Sequence, residues 1–423
     1  GNPRGNLAVQ LAALIVLATQ RESFLGFWRT SPLALRALII AAIALPLVQI
    51  VPLPASLWSA LPSRTLVERS LEQIGAEGGW MPISLDPLRT LLATTALVTP
   101  LAVVCAGWRL SRERLIDLGW VVVGLGLVTV LLGTVQLGAT TEAGTLYGTR
   151  RPGQVLLGTF ANRNSTGLFL TFALGLAALL PAPRPHPAEL PARLAVCLLL
   201  LLAVGLTQSR TAIVLALLPV LLGTARGLDA VLRARGAPSL ARAAMIGVGA
   251  LALVGAGAGT LIVAAPGRIG EALERFEAKD DPRRFIWDDA SFSAGRYWPA
   301  GAGMGTFDEV YQIDESLENL TPRRAGRAHN DFIELTIEAG AVGLALAAGW
   351  LGLIGWLSWR ARTAPLRWAA WAGSAFLIAI ALQSITDYPL RNQTILACAG
   401  LALLVLTRIA APRQGVGRRR EEP

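Results

Sequence analysis

Lysine is almost missing from this chain: Lys279 is alone among 38 basic residues, and arginine carries the net charge of +10. Histidine is rarer still than arginine, with only His186 and His329. With so few, and with no carboxylates at metal-ligand spacing, the sequence points to no metal site. Cys105, Cys197 and Cys398 each sit inside an apolar stretch. Their spacing fits neither a disulfide framework nor a metal cluster, so they read as small buried hydrophobes. Gly301-Ala302-Gly303-Met304-Gly305 is followed by no lysine and joins no strand to a helix, so it is not a nucleotide-phosphate loop. The arginines are scattered over many short segments rather than gathered in one patch, which argues against nucleic acid as a partner. No cofactor motif stands out, and none is expected.

What is abundant is apolar length. The chain is 53% hydrophobic with a mean hydropathy of +0.52. Leu, Ala, Val and Ile recur in blocks of about 17–22 residues, the length a helix needs to cross a bilayer. Blocks without strict alternation mean helices, because only helices and closed barrels satisfy their backbone in lipid. The expected fold class is therefore all-α, a polytopic integral membrane protein. Eleven spans are expected, at about 6–20, 33–52, 91–108, 116–138, 165–181, 194–208, 211–225, 243–265, 331–357, 368–386 and 392–408.

Orientation follows from basic residues in short loops. The loops around 21–36, 109–114, 184–193, 226–242 and 360–367, and the tail from Arg408, are rich in arginine and fall on one side when the spans alternate. That side is expected to be cytoplasmic. The other side holds the long loops 53–90, 139–164 and 266–330. The last is expected to be an external subdomain, helical over the charge-dense stretch 268–289 and irregular around Pro299, Gly301, Gly303 and Gly305. The chain begins with Gly1 rather than Met, and one further N-terminal span would bring the count to twelve with both ends inside. Three regions follow: N-terminal membrane helices 1–150, a membrane domain 151–410 that includes the loop 266–330, and a cytoplasmic basic tail 411–423. Arg418, Arg419 and Arg420 in that tail would sit near anionic headgroups.

Charge that enters the membrane is a functional candidate by default. Arg210 lies between two apolar runs, at the external end of a span. A snorkelling arginine at a helix end is the competing reading. His329 stands where the long loop enters a membrane helix, wet enough to titrate and apolar enough to be tuned; a structural role is as common there. Asp331, Glu334 and Glu338 share one helical face and need partners, for which Arg210 and Arg391 are available. His329 and Glu338 would face opposite ways on one regular helix, so no dyad is expected between them. Arg283 and Arg284 precede Phe285-Ile286-Trp287; a guanidinium fork grips phosphate and an indole offers a stacking face to a sugar. An amphipathic surface helix would look the same. No cytoplasmic loop is long enough for a nucleotide-sugar domain, so an activated lipid is the more natural donor.

The segment Arg327-Ala328-His329-Asn330-Asp331-Phe332-Ile333-Glu334 through Glu338-Ala339-Gly340 resembles the hallmark of the O-antigen ligase and Wzy-type O-antigen polymerase superfamily, with ten residues between His329 and Gly340. Gly158-Thr159-Phe160-Ala161-Asn162-Arg163-Asn164, Ser209-Arg210, and Arg283 to Trp287 followed by Pro299 to Phe307 are similar to its other motifs, in order, over roughly 155–390. The resemblance implies metal-independent, inverting transfer of a glycan from undecaprenyl diphosphate on the periplasmic face of a bacterial inner membrane. It implies His329, Arg210 and Arg283 as catalytic residues, with Arg284 as an alternative to Arg283. Substrate contacts are expected from Arg284, Trp287, Asn162, Asn164, Asn330, Glu338 and Arg391, and Glu338 or Asp331 is an alternative base. The implied partners are the lipid-linked glycan, the bilayer, and a chain-length regulator and flippase of the same pathway. Thr386-Asp387-Tyr388-Pro389-Leu390-Arg391 is similar to a motif of the exopolysaccharide branch and tilts the expectation to a polymerase, with Arg391 on a second lipid diphosphate. Pairing of Arg391 with Asp387 or an acid of the ninth span is the competing reading. A ligase acting on lipid A core is the alternative; a flippase or transporter, or a structural partner with a degenerate site, is less favoured.

Overall fold

Apolar blocks of this length have one way to satisfy their backbone in lipid, and in the computed structural model of the chain they fold as helices. The structure describes residues 3–138, 155–184, 186–233, 283–318 and 324–410, together with Leu146. The helices are α1 Pro3–Thr19, α2 Arg21–Thr30, α3 Leu33–Gln49, α4 Ala55–Trp58, α5 Thr65–Gln73, α6 Pro87–Thr95, α7 Val98–Gly107, α8 Arg112–Gly138, α9 Arg163–Leu179, α10 Glu189–Leu206, α11 Arg210–Leu215, α12 Leu217–Arg233, α13 Arg283–Tyr297, α14 Phe307–Asp314, α15 Asp331–Ala361, α16 Arg367–Gln383 and α17 Gln393–Ala410. A 3₁₀ turn covers Pro389–Arg391. Among the described residues the strands are Pro52–Leu53 and Met81–Pro82, paired antiparallel with Pro52 opposite Pro82.

The expected spans each coincide with one helix or a consecutive pair, except 243–265, which lies outside the described residues, as do 268–282 and the tail 411–423. The span expected at 91–108 is α6 followed by α7, and that at 211–225 is α11 followed by α12. By length and apolarity five described helical stretches qualify as membrane spans: Pro87–Gly107, Arg112–Gly138, Glu189–Leu206, Arg210–Arg233 and Asp331–Ala361. A sixth is added if the α1–α2 pair, bent by 79°, counts as one. The chain is thus an all-α protein with several membrane-crossing helices. One expected loop is a helix instead. The segment 21–30 forms α2 because Phe27 turns inward, fully buried, with its ring 5.0 Å from Trp108.

Helix α9 sits at the centre. Its sequence is apolar on every side, and it is buried along almost its whole length, as expected of a helix enclosed by others. It packs against α8, α10, α12 and α16, with Phe172 stacked 4.0 Å from Phe376 of α16. A second, smaller core joins α13, α14 and the start of α15 through Ala290, Tyr297, Phe307, Val310, Tyr311 and Ile337.

The turn 299–305 docks on α15, the Ala302 N–H donating to the Ile337 carbonyl at 2.8 Å and the Gly303 N–H to the Glu338 carbonyl at 2.9 Å. Helix α15 kinks at Gly340, whose φ of 54° and ψ of −140° leave the helical region. The Pro299 carbonyl fills the kink and accepts the Ala341 N–H at 3.0 Å. A side chain at Gly340 would place Cβ 1.9 Å from that oxygen, and one at Gly301 would meet the Glu338 carbonyl at 2.6 Å. The glycine-rich stretch that failed as a nucleotide loop is a docking turn for α15.

Candidate functional site

Three helices begin at one place. Asn162 caps α9, its Oδ1 accepting the Asn164 N–H at 2.8 Å. Ser209 caps α11 by accepting the Ala212 N–H at 3.3 Å. Asn330 caps α15 by accepting the Phe332 and Ile333 N–H groups at 2.9 and 3.1 Å. Asn and Ser suit these positions because a short side-chain oxygen reaches the first free N–H groups of a helix. Asn164 ties the starts together. Its Oδ1 accepts the Ser209 hydroxyl at 2.9 Å, and its Nδ2 donates to Asp387 Oδ2 at 2.8 Å. The hydroxyls of Thr211 and Thr386 meet at 3.1 Å. Arg210 therefore opens α11 between two residues that are each bonded into this junction. Positive helix ends gathered in this way favour an anion.

Asp387 lies in the turn after α16. Its other oxygen, Oδ1, is 3.4 Å from His329 Nδ1. Both atoms are buried, and neither has another hydrogen-bond partner. His329 reaches this position with a φ of 53°, and Gln208, just before the Ser209 cap, has the same value. A positive φ is uncommon outside glycine, and the bend turns His329 off the axis of α15. Burial alone would raise the Asp387 carboxyl. Hydrogen bonds from His329 and Asn164 and the charge of Arg283 outweigh it and hold the group below the usual carboxylate range. An ionised acceptor at Nδ1 selects the tautomer whose Nε2 is unprotonated. The imidazole is 32% exposed while Nδ1 is covered, so the edge that reaches solvent is the one opposite Asp387.

A second cluster lies behind the dyad. Glu334 and Glu338 are fully buried, and Arg391 Nη2 is 2.9 Å from an oxygen of each. Glu334 also accepts the Ala328 N–H at 3.0 Å, and Asp331 accepts the Ser384 hydroxyl at 2.9 Å. Burial would lower the Arg391 guanidinium, but Glu338 and Glu334 hold it above its ordinary range.

Several expected substrate contacts have other work in this structure. Glu338 is sealed inside the protein and paired to Arg391, so it reaches no substrate and is no candidate base. Arg391 pairs with acids of the ninth expected span rather than with Asp387, and its charge is neutralised there. Asn164 holds Asp387 and Ser209, while the carboxamide oxygens of Asn162 and Asn330 cap helices. Trp287 is half-buried, and its Nε1 donates to the Ala328 carbonyl at 2.8 Å, bracing the residue before His329. Arg283 is half-buried and its charge bears on Asp387 and on Tyr388, whereas Arg284 is exposed. Arg283 is thus the arginine of this pair that belongs to the junction.

Sequence reasoning missed two residues here. Asp387 was visible only as a possible partner of Arg391; the available signal was a carboxylate in a short turn next to two spans. Tyr388, whose ring lies 5.0 Å from that of His329, was part of a quoted motif with no role attached.

Residues 195–348 match the family model described as O-Antigen ligase, Wzy_C. The resemblance read from the sequence holds over that stretch, which contains Arg210, Arg283 and His329 but neither Asn164 nor Asp387. No curated protein matches the chain. A chain from a solved structure concerning structural coordination of polymerization and crosslinking by a peptidoglycan synthase complex is similar at 20% identity and a TM-score of 0.41, over 89% of this chain and 97% of that one.

Proposed function

We propose that this membrane protein transfers a glycan from undecaprenyl diphosphate to an acceptor hydroxyl, at a site facing the periplasm of a bacterial inner membrane. The observation that carries the reading is the His329–Asp387 dyad, whose histidine lies inside the stretch 195–348 matched by the O-antigen ligase family model, with Arg283 and the start of α11 beside it. The acceptor oxygen attacks the anomeric carbon of the donor sugar. His329 Nε2 takes the proton of that hydroxyl, and the resulting imidazolium is stabilised by Asp387. The bond from the anomeric carbon to the diphosphate oxygen breaks, and the diphosphate leaves with the electron pair. Attack opposite the leaving group inverts the anomeric centre. Charge grows on phosphate oxygens during this step, where the fixed guanidinium groups of Arg210 and Arg283 and the helix N-termini stabilise it.

The acceptor separates a polymerase from a ligase. A polymerase needs a place for a second lipid diphosphate, and Arg391, expected to hold it, is occupied by Glu334 and Glu338. The family description, O-antigen ligase, favours transfer to a lipid A core as the second reading. Purified protein in nanodiscs, given lipid-linked oligosaccharide and either a second lipid-linked repeat or lipid A core, tests both. Transfer to neither would sink the proposal.

A further inference from the structure

The cations around the dyad are not equally available to a ligand. Arg391 is committed to two fully buried carboxylates. Arg327 is not. Its Nη1 reaches Glu334 Oε2 at 3.3 Å, a carboxylate that already accepts shorter bonds from Arg391 and from the Ala328 N–H. A guanidinium has five N–H donors, and the Arg327 side chain is 34% exposed. Its charge, like that of Arg283, bears on the Tyr388 hydroxyl. The Tyr388 ring in turn lies against His329. Burial and the neighbouring Asp387 hold the phenol above its ordinary value, so at neutral pH it keeps its proton and can donate. Helix α13, which carries Arg283, is tied to the residue after Arg327 by the Trp287–Ala328 hydrogen bond at 2.8 Å, so two guanidinium groups from different elements act on one phenol whose ring lies 5.0 Å from the imidazole.

We propose that Arg327 and Tyr388 complete a diphosphate cradle with Arg283, one arginine on each phosphate and the phenol donating to a shared oxygen. The assignment rests on the lipid-diphosphate reading above and gives to Arg327 the phosphate contact that Arg391 cannot make. A planar fork matches a phosphate edge in two hydrogen bonds. The contact with Glu334 holds the fork in place beforehand, which lowers the ordering cost of binding.

The test is direct binding of farnesyl diphosphate, with farnesyl monophosphate as comparison, to the full chain in nanodiscs. The wild type is expected to prefer the diphosphate. Arg327→Ala should weaken its binding roughly tenfold and erase the preference. Arg327→Lys keeps a charge opposite Glu334 but loses the fork, and should fall between the two with an unchanged melting temperature. Tyr388→Phe should cost a few-fold. Inhibition of transfer competitive with the donor would assign the cradle to the leaving diphosphate; inhibition competitive with a lipid-linked acceptor would assign it to the second lipid. Either supports the cradle. Equal affinity in wild type, Arg327→Ala and Arg327→Lys would overturn it, as would failure of the wild type to bind farnesyl diphosphate. Arg327-dependent binding without any glycan transfer would sink the proposed function and leave the cradle standing.

Discussion

His329 Nδ1 and Asp387 Oδ1 stand 3.4 Å apart, two buried atoms that face each other and bond to nothing else. The gap is longer than a charge-assisted hydrogen bond, and the attraction across it strengthens once the imidazole gains a proton. Asp387 therefore orients a base and stabilises the cation that base becomes. His329→Ala is expected to lower transfer by about 10²-fold or more, and Asp387→Asn by a similar factor, because an amide no longer fixes the tautomer. Both variants should still insert in the membrane. Wild-type turnover by either, in a single-turnover assay, would remove the dyad from the mechanism.

The pH profile follows from the same pair. Asp387 is held below the usual carboxylate range, so its contribution is present above that range and is lost only as pH falls through the depressed value. Between about pH 5 and 8 it therefore stays ionised and keeps orienting the imidazole. The Asp387 contribution to transfer is expected to hold across that range and to be lost only at lower pH, and Asp387→Asn should remove that acidic fall. An acidic fall that Asp387→Asn leaves unchanged would mean that another group sets it.

Sidedness is tested by labelling. The junction lies at the N-terminal ends of α9, α11 and α15, which are expected on the external side from the arginine-rich short loops. Arg284 is exposed on α13, next to Arg283. In a background with Cys105, Cys197 and Cys398 replaced by Ser, Arg284→Cys should react with a membrane-impermeant thiol reagent in right-side-out vesicles. Reaction confined to inside-out vesicles would reverse the topology.

The helical architecture was legible because apolar length is a property of the sequence alone. The kink at Gly340 was not. A glycine inside an apolar helical run is ordinary, and only the Pro299 carbonyl, arriving from a distant turn, makes this one obligatory. His329, Arg210 and Arg283 were legible through their motifs, but the dyad depends on Asp387 from a turn beyond the next helix, a pairing no local pattern encodes. The Asn residues read as substrate contacts for a related reason. A helix cap and a ligand contact use the same residue type at the same place, and hydrogen-bond partners decide between them.

The kink itself makes a stability prediction. Gly340→Ala forces a Cβ to 1.9 Å from the Pro299 oxygen at a positive φ, and neither backbone can yield without breaking the Ala341–Pro299 hydrogen bond. A loss well above the ~1 kcal/mol of an average substitution is expected, seen as a much lower melting temperature and yield. Gly352→Ala, with nothing within 4 Å of the added Cβ, should be neutral. Equal melting temperatures for the two variants would mean that the turn does not lock α15.

Arg391 distinguishes a buried strut from a ligand contact. It bridges Glu334 and Glu338, both fully buried, at 2.9 Å each. Arg391→Ala leaves two desolvated carboxylates without their cation, a loss of about 3–5 kcal/mol for an interrupted buried pair. Neutralising one carboxylate at the same time removes part of that penalty, so Arg391→Ala with Glu338→Gln should be more stable than Arg391→Ala alone. That sign is the diagnostic, because a residue whose purpose is to grip phosphate gains nothing from the loss of Glu338. The expected pattern is a strong coupling in thermal unfolding, with transfer recovering in proportion to folded protein. A double variant as unstable as the single one, or a stable Arg391→Ala with a raised KM for the lipid donor, would return Arg391 to the substrate and weaken the assignment of the second phosphate to Arg327.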